Sequence, residues 1–268
     1  MKERIDKVLV DKGFFDSRER AKKNIMAGTV LVNNMVVDKA GFLIDTEAEI
    51  RIKKDAIPYV SRGGLKLEKA MQSWEIDLND KVCMDIGSST GGFTDCMLQK
   101  GAKKVYAVDV GYGQLDWKLR NDDRVKVMER TNIRHTTPDD LEERVQFFSI
   151  DVSFISLKLV LPKLLELGDE DFECVALIKP QFEVGKNEVG KNGVVREPQK
   201  HMDAINYCME YATKIGLQIR GLDFSPIKGP KGNIEFLMLV GNKVKEIANS
   251  EEITAENVVN RAHSNLDK

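Results

Sequence analysis

The chain has 268 residues, 42% hydrophobic and 31% charged, which supports a sizeable buried core, excludes a disordered chain and fits one large domain with or without a small companion. Its net charge of −2 is uneven: residues 1–54 hold 12 Lys+Arg against 9 Asp+Glu, a surplus of three, and the remainder holds 29 against 34, a deficit of five. An anionic partner is therefore expected at the N-terminal piece.

Ile5, Val8 and Leu9 fall at i, i+3 and i+4 and predict a helix from Arg4 to Lys12 that ends near Gly13. Asp16-Ser17 then offers a capping side chain for a second helix over residues 18–27, with Ala21 and Ile25 inward and Gly28 at its stop. Residues 29–32 and 35–37 read as short strands around an Asn33-Asn34 type I′ turn, and residues 49–52 as a closing strand. Arg18, Arg20, Lys22 and Lys23 could lay a basic face against phosphates; the same charges also suit a merely solvated helix.

Residues 55–60 contain the first proline, Pro58, and no periodic pattern, and read as a linker. A helix then starts at Ser61-Arg62-Gly63-Gly64, with Leu65, Leu67 and Met71 expected to face a core. Apolar runs at 82–86, 105–108, 125–128, 146–150 and 174–178 alternate with helical segments. That alternation predicts an α/β domain with a doubly wound, mostly parallel sheet and ligands at the carboxyl ends of its strands. After an amphipathic segment at 199–215, residues 218–224 and 234–240 form two closing strands with no crossover helix between them, an antiparallel ending found in methyltransferases rather than dehydrogenases. Residues 254–266 read as a surface helix.

Cys83, Cys96, Cys174 and Cys208 form no C-x-x-C pair, so four reduced, mostly buried thiols are expected rather than a zinc site or disulfide framework. No apolar run approaches the ~18–20 residues that span a bilayer, and Met1-Lys2-Glu3-Arg4 lacks an apolar signal core. A cytoplasmic location is expected.

The most informative stretch runs from Asp85 through Gly87, Ser88, Ser89, Thr90, Gly91, Gly92 and Phe93 to Thr94. An apolar strand, a glycine-rich turn, a helix and a second strand ending at Asp109 make a nucleotide-cofactor cradle, with glycines for close approach and a carboxylate for ribose hydroxyls. A serine stands where the G-x-G-x-x-G pattern needs its second glycine, which disfavours a dinucleotide. The stretch Gly185 to Asn192 mimics a P-loop but ends in Asn where Ser or Thr must hold magnesium. S-adenosylmethionine, with no phosphate to place, fits the cradle. Methyl transfer from it to a hydroxyl acceptor would require a base and no metal.

Lys66, Asp151, Lys179 and Glu235 stand at strand ends or near a helix start, where charge is costly to bury unless paired, and their recurrence there suggests one cluster. A lysine base at neutral pH needs its pKa lowered from ~10.4, and Lys66 and Lys179 are expected to depress each other.

Two resemblances follow from these motifs. The order Arg4-Ile5-Asp6-Lys7-Val8-Leu9-Val10, Ser17 to Lys22 and Ile25 to Asn33 resembles the RNA-binding domain named after ribosomal protein S4. It implies an α+β RNA-binding unit over 1–54, with Arg4, Arg18, Arg20, Lys22 and Lys23 as contacts. Ser61 to Leu67, Asp85 to Asp95, Glu129 to Arg134, Asp151 to Leu157, Lys179 to Glu183 and Gly232 to Phe236 resemble the TlyA family, a branch of the FtsJ-like 2′-O-ribose RNA methyltransferases whose members are often labelled hemolysin. That resemblance implies a Rossmann-like S-adenosylmethionine-dependent methyltransferase domain over 61–268, with ribosomal RNA or ribosomal subunits as partner. It further implies a Lys66-Asp151-Lys179-Glu235 tetrad with Lys179 as base, Lys66 placing the 2′-hydroxyl, and Asp151 and Glu235 tuning the ammonium groups. Asn132 and Asp151 are expected to border the cofactor and Phe154 to line its pocket, or else to pack in the core. Two other readings stand beside this one: an RNA-binding assembly factor with a non-catalytic methyltransferase fold, and a membrane-active hemolysin.

Overall fold

A computed structural model describes residues 2–26, 28–33, 35–52, 57–185, 188–229, 231–244 and 253–266. The chain divides into two compact units, Met1–Pro58 and Tyr59–Lys268.

In the first unit, β1 (Lys2–Arg4) leads directly into α1 (Ile5–Asp11), and α2 (Arg18–Met26) follows. Ser17 caps α2 by accepting a hydrogen bond from the Arg20 amide at 3.3 Å. Beyond lie β2 (Val30–Val32), β3 (Met35–Val36), β4 (Leu43–Asp45) and β5 (Ile50–Ile52). The expected hairpin and closing strand form one antiparallel sheet in the order β3-β2-β5. Asn33 has φ +49°, the left-handed conformation its turn demands. Asn34, and Ala27 at the expected end of the second helix, lie outside the described residues. Strand β1 pairs with β4 in a second, two-stranded sheet that the sequence pattern does not announce. Ile5, Leu9, Ala21, Ile25 and Val30 are fully buried and form this unit's core.

The second unit begins inside the expected linker. Tyr59 is buried, and the Val60 amide donates to Asp95 Oδ2 at 2.8 Å; Asp55 and Ala56 lie outside the described residues. The elements that follow are α3 (Gly64–Ser73), β6 (Val82–Ile86), α4 (Gly92–Gln99), β7 (Lys104–Val108), α5 (Trp117–Arg120), β8 (Val125–Met128) and β9 (Val145–Ile150). Then come α6 (Leu161–Leu167), β10 (Gly168–Ile178), α7 (Pro180–Glu183), α8 (Pro198–Lys214), β11 (Gln218–Phe224), β12 (Phe236–Gly241) and α9 (Ala255–Leu266). Seven strands form one sheet in the order β11-β12-β10-β9-β6-β7-β8. Strands β6 to β10 run parallel, and β12 inserts antiparallel between β10 and β11, the closing arrangement expected from the missing crossover helix.

Two details correct the sequence reading. Leu65 is only half-buried, because the inward face of α3 is Gly64, Lys66, Leu67, Ala70 and Met71, which puts a lysine where the apolar pattern suggested leucine. Helix α9 is not confined to the surface: Ala255, Val258, Val259 and Ala262 are buried in the main core. All four cysteines are buried and free.

Candidate active site

Strand β6 ends in the glycine turn. Gly87 has φ +88°, and a Cβ there would stand 2.7 Å from the Asp151 carbonyl oxygen; Gly91 has φ +94°, and a Cβ there would overlap the Leu119 side chain. The groups that demand glycine at these positions belong to the protein itself, whereas the sequence reading gave the demand to a ligand. Asp85 is fully buried and accepts hydrogen bonds from the Thr94 amide at 2.9 Å, the Thr94 hydroxyl at 2.7 Å and the Ser149 hydroxyl at 3.1 Å. Burial pushes its carboxyl up to about 7, the Asp151 charge adding to the shift and the Thr94 and Ser149 bonds opposing it. Asp85 and Thr94 therefore anchor the start of α4, and Phe93, Gly92 and Ser88 are buried with them. Only Ser89 and Thr90 present the loop to solvent.

Asp109, after β7, accepts from the Ser89 amide at 2.8 Å and the Gly111 amide at 2.7 Å. The Thr131 amide donates to the Asp109 carbonyl at 2.9 Å, and Asn132 Oδ1 accepts from the Arg134 amide at 3.2 Å. The turns after β6, β7 and β8 are thus stitched into one rim at the carboxyl edge of the sheet. Ser89, Arg130 and Phe154 hold φ of +49°, +53° and +64° on that edge, a local concentration of backbone strain of the kind functional loops carry.

Beside the rim the four expected charged residues meet. Lys66 Nζ lies 2.7 Å from Glu235 Oε2 and 3.4 Å from Asp151 Oδ2, and Lys179 Nζ lies 2.5 Å from Asp151 Oδ1. The Lys66–Glu235 contact lacks directed hydrogen-bond alignment and acts as an ion pair. Lys179 also donates to the Ser153 hydroxyl at 3.1 Å, a residue of the 151–157 motif to which the sequence reading gave no role. Burial alone would pull the Lys66 ammonium down, but Asp151 and Glu235 outweigh it and hold the group above its ordinary value. Burial pushes Asp151 up, and the two lysines outweigh it and hold the carboxylate below its ordinary value. The expected mutual depression of the lysines fails for Lys66, because Asp151 stands between the two ammonium groups and two carboxylates face the first.

A cleft of about 270 Å³ opens against this cluster, and Ser153, Phe154, Lys179, Phe182, Lys231 and Glu235 contribute to its wall. Phe154 is 90% exposed, which removes the core alternative, and its ring pairs with Phe182 at 5.2 Å on this side of the tetrad.

In the first unit, Arg4 and Arg18 converge on buried Asp6 at 3.0 and 2.8 Å, and their bonds, Arg4's foremost, draw its carboxyl down to about 2. Arg20 pairs with Asp16 at 3.0 Å, Lys22 is half-buried and Lys23 is exposed. The arginines thus serve internal pairs, while the Arg4 and Arg18 side chains stay half-exposed.

The FtsJ-like methyltransferase family matches residues 59–242, and the S4 domain matches residues 3–50. The chain belongs to the TlyA branch of the FtsJ-like methyltransferases. It is 50% identical over 271 residues to YqxC of Bacillus subtilis, covering 99% of this chain and 95% of that one. It is 40% identical over 262 residues to the 16S/23S rRNA (cytidine-2′-O)-methyltransferase TlyA of Mycobacterium tuberculosis, covering 97% of each. A solved structure of a hemolysin-named protein from Streptococcus thermophilus is 47% identical, with a TM-score of 0.78 over 99% of this chain and 97% of that one.

The cofactor of this methyltransferase domain is S-adenosylmethionine. The rim fits it: Ser89 and Thr90 are small and exposed, Asp109 is a carboxylate acceptor for ribose hydroxyls, neighbouring Val110 is a 73% exposed apolar surface, and residues 87–94 carry no Lys or Arg to hold phosphate. Among the described residues no helix is long and apolar enough to cross a membrane.

Proposed function

We propose that this chain methylates a ribose 2′-hydroxyl of ribosomal RNA in the cytoplasm, with Lys179 as general base. The carrying observation is that Lys179 lines the open cleft while its ammonium position is braced by Asp151, whose own backbone packs against Gly87 of the cofactor loop. S-adenosylmethionine supplies an electrophilic methyl group at the rim formed by Ser89, Thr90, Asp109 and Asn132. The residues do the rest. Lys179 Nζ accepts the hydroxyl proton as the oxygen attacks, and the Asp151 carboxylate stabilises the ammonium that results. Lys66, held charged by Asp151 and Glu235, stays protonated and donates toward the acceptor, which positions it. The rings of Phe154 and Phe182 offer an apolar wall for the base of the target nucleotide.

The names of the Mycobacterium tuberculosis relative and of the S4 domain support ribosomal RNA as the substrate, with residues 1–54 anchoring it, residues 55–60 linking and residues 61–268 catalysing. A non-catalytic scaffold is disfavoured because burying two lysines against two carboxylates carries a desolvation penalty that an apolar core would not.

The test is transfer of a tritiated methyl group to ribosomal subunits or their RNA. Lys179→Ala should reduce transfer by about 10²–10⁴-fold while calorimetry shows unchanged cofactor affinity. Wild-type transfer by that variant would remove Lys179 from the base role.

A further inference from the structure

A second cavity, of about 370 Å³, lies on the other side of the segment that leads into β12. Residues of this segment contribute alternately: Gly232 and Ile234 face the second cavity, and Asn233 and Glu235 the cleft of the tetrad. The shared wall is fixed. Asn233 is buried, accepts from the Val195 amide at 2.9 Å and donates to the Gly193 carbonyl at 2.9 Å, which clamps residues 193–195 to the approach to β12.

The second cavity is basic in a unit that is otherwise acidic. Arg196, Lys228, His201 and His263 line it, and no Asp or Glu does, although residues 55–268 carry 34 acidic against 29 basic side chains. His201 is fully buried and joins His263 through its Nδ1 at 3.0 Å, while its Nε2 meets the Val195 carbonyl at 3.1 Å, so both of its ring nitrogens are engaged. Arg196 is exposed and has no ion-pair partner among the described residues.

From the single-segment separation of the two cavities and the charge of the second, we propose that the second cavity receives a backbone phosphate of the nucleotide flanking the methylated one, with Arg196 and Lys228 as its contacts. The inference rests on the RNA substrate argued above. It explains why a cavity with no role in transfer adjoins the tetrad: holding the flanking phosphate sets which ribose can reach Lys179.

The experiment uses the full chain and ribosomal RNA, with Arg196→Gln, Lys228→Gln and, as a control, Lys214→Gln in the last turn of α8. Each cavity variant should weaken RNA binding about tenfold and lower the slope of log affinity against log salt by about one contact. In methyl transfer, KM for RNA should rise about tenfold and kcat change less than threefold, while Lys214→Gln behaves as wild type. Wild-type RNA affinity and slope in both cavity variants would overturn the proposal, as would an equal loss in Lys214→Gln, which would mean a diffuse field rather than a site. Because binding is measured without cofactor, a loss of RNA affinity in the cavity variants with no methyl transfer by any form would refute the enzymatic reading and support the cavity as an RNA phosphate site, while overturning its placement beside a methylated nucleotide.

Discussion

Asp151→Asn tests the charge arrangement most directly, because it keeps the shape of the side chain and removes its charge. Asp151 is the only carboxylate within ion-pair distance of Lys179 among the described residues and the second of two for Lys66, whose side chains are 9% and 8% exposed. Breaking a buried ion pair at one partner costs about 3–5 kcal/mol, and the 20% exposure of Asp151 places this case at the lower end, about 3 kcal/mol. For a domain of this size that lowers Tm by about 6–12 °C. Calorimetric melting of wild type and variant reads the shift directly. Adding Lys179→Met to the variant removes the stranded ammonium, so the double variant should melt above Asp151→Asn alone; additive losses would show that the two side chains do not act as a pair. The acid limb gives the sign. Because the lysines hold Asp151 below its ordinary value, its stabilisation is present above the unfolded carboxylate pKa of ~3.9 and is lost as pH falls through the lower folded value. Wild type and Asp151→Asn should therefore converge in stability in acid. A variant that melts with wild type at pH 7 would refute the reasoning.

Asp85 gives the opposite pH signature. A carboxyl held at about 7 rather than 3.8 favours its protonated form in the folded state, so stability is lost as pH rises from about 4 to 7, on the order of 4 kcal/mol, and urea unfolding of Asp85→Asn should lack that loss. Gly87→Ala, with its new methyl at 2.7 Å from the Asp151 carbonyl and φ at +88°, should destabilise by at least about 1 kcal/mol in the same assay and impair methyl transfer more than cofactor binding. Removing residues 1–54 should weaken RNA binding, read by anisotropy, far more than cofactor binding; unchanged RNA affinity would refute the anchoring role given to that unit.

The central sheet was legible because its strands are continuous apolar runs between helical segments, and the antiparallel ending was legible from the absence of a helix between Phe224 and Phe236. What escaped the pattern has physical causes. Strands β1 and β4 are three residues each, too short to show alternation. Lys66 was singled out by its charge, but its place on the buried face of α3 was not, because hydrophobic periodicity treats a lysine as outward and only its two carboxylates make burial tolerable. The motif glycines were visible, but their reason was not: the neighbours that crowd Gly87 and Gly91 come from residues 151 and 119, far away in sequence. Ser153 and Asn233 fall inside the motif stretches, but what they do was not legible, since their roles lie in contacts with Lys179 and with residues 193–195.

Sheet register explains how the glycine loop and the buried charged cluster, far apart in sequence, meet at one edge of the sheet. Strands β6 and β9 pair in parallel with Asp85 opposite Ser149 and Ile86 opposite Ile150, so the next residues in step are Gly87 and Asp151. The Asp151 amide continues the ladder by donating to the Ile86 carbonyl at 3.0 Å. The first residue of the glycine loop and the carboxylate between the two lysines are thus delivered to the same point by one alignment. That point is where the sheet changes direction, with β7 and β8 on one side of β6 and β9 and β10 on the other, the place at which an open α/β sheet leaves a crevice. A slip of one residue, ~3.3 Å, would set Val152 beside Gly87 and turn Asp151 to the other face. The Asp85–Ser149 hydrogen bond joins residues that are partners in this same register, so the buried polar pair holds the alignment that brings Gly87 beside Asp151.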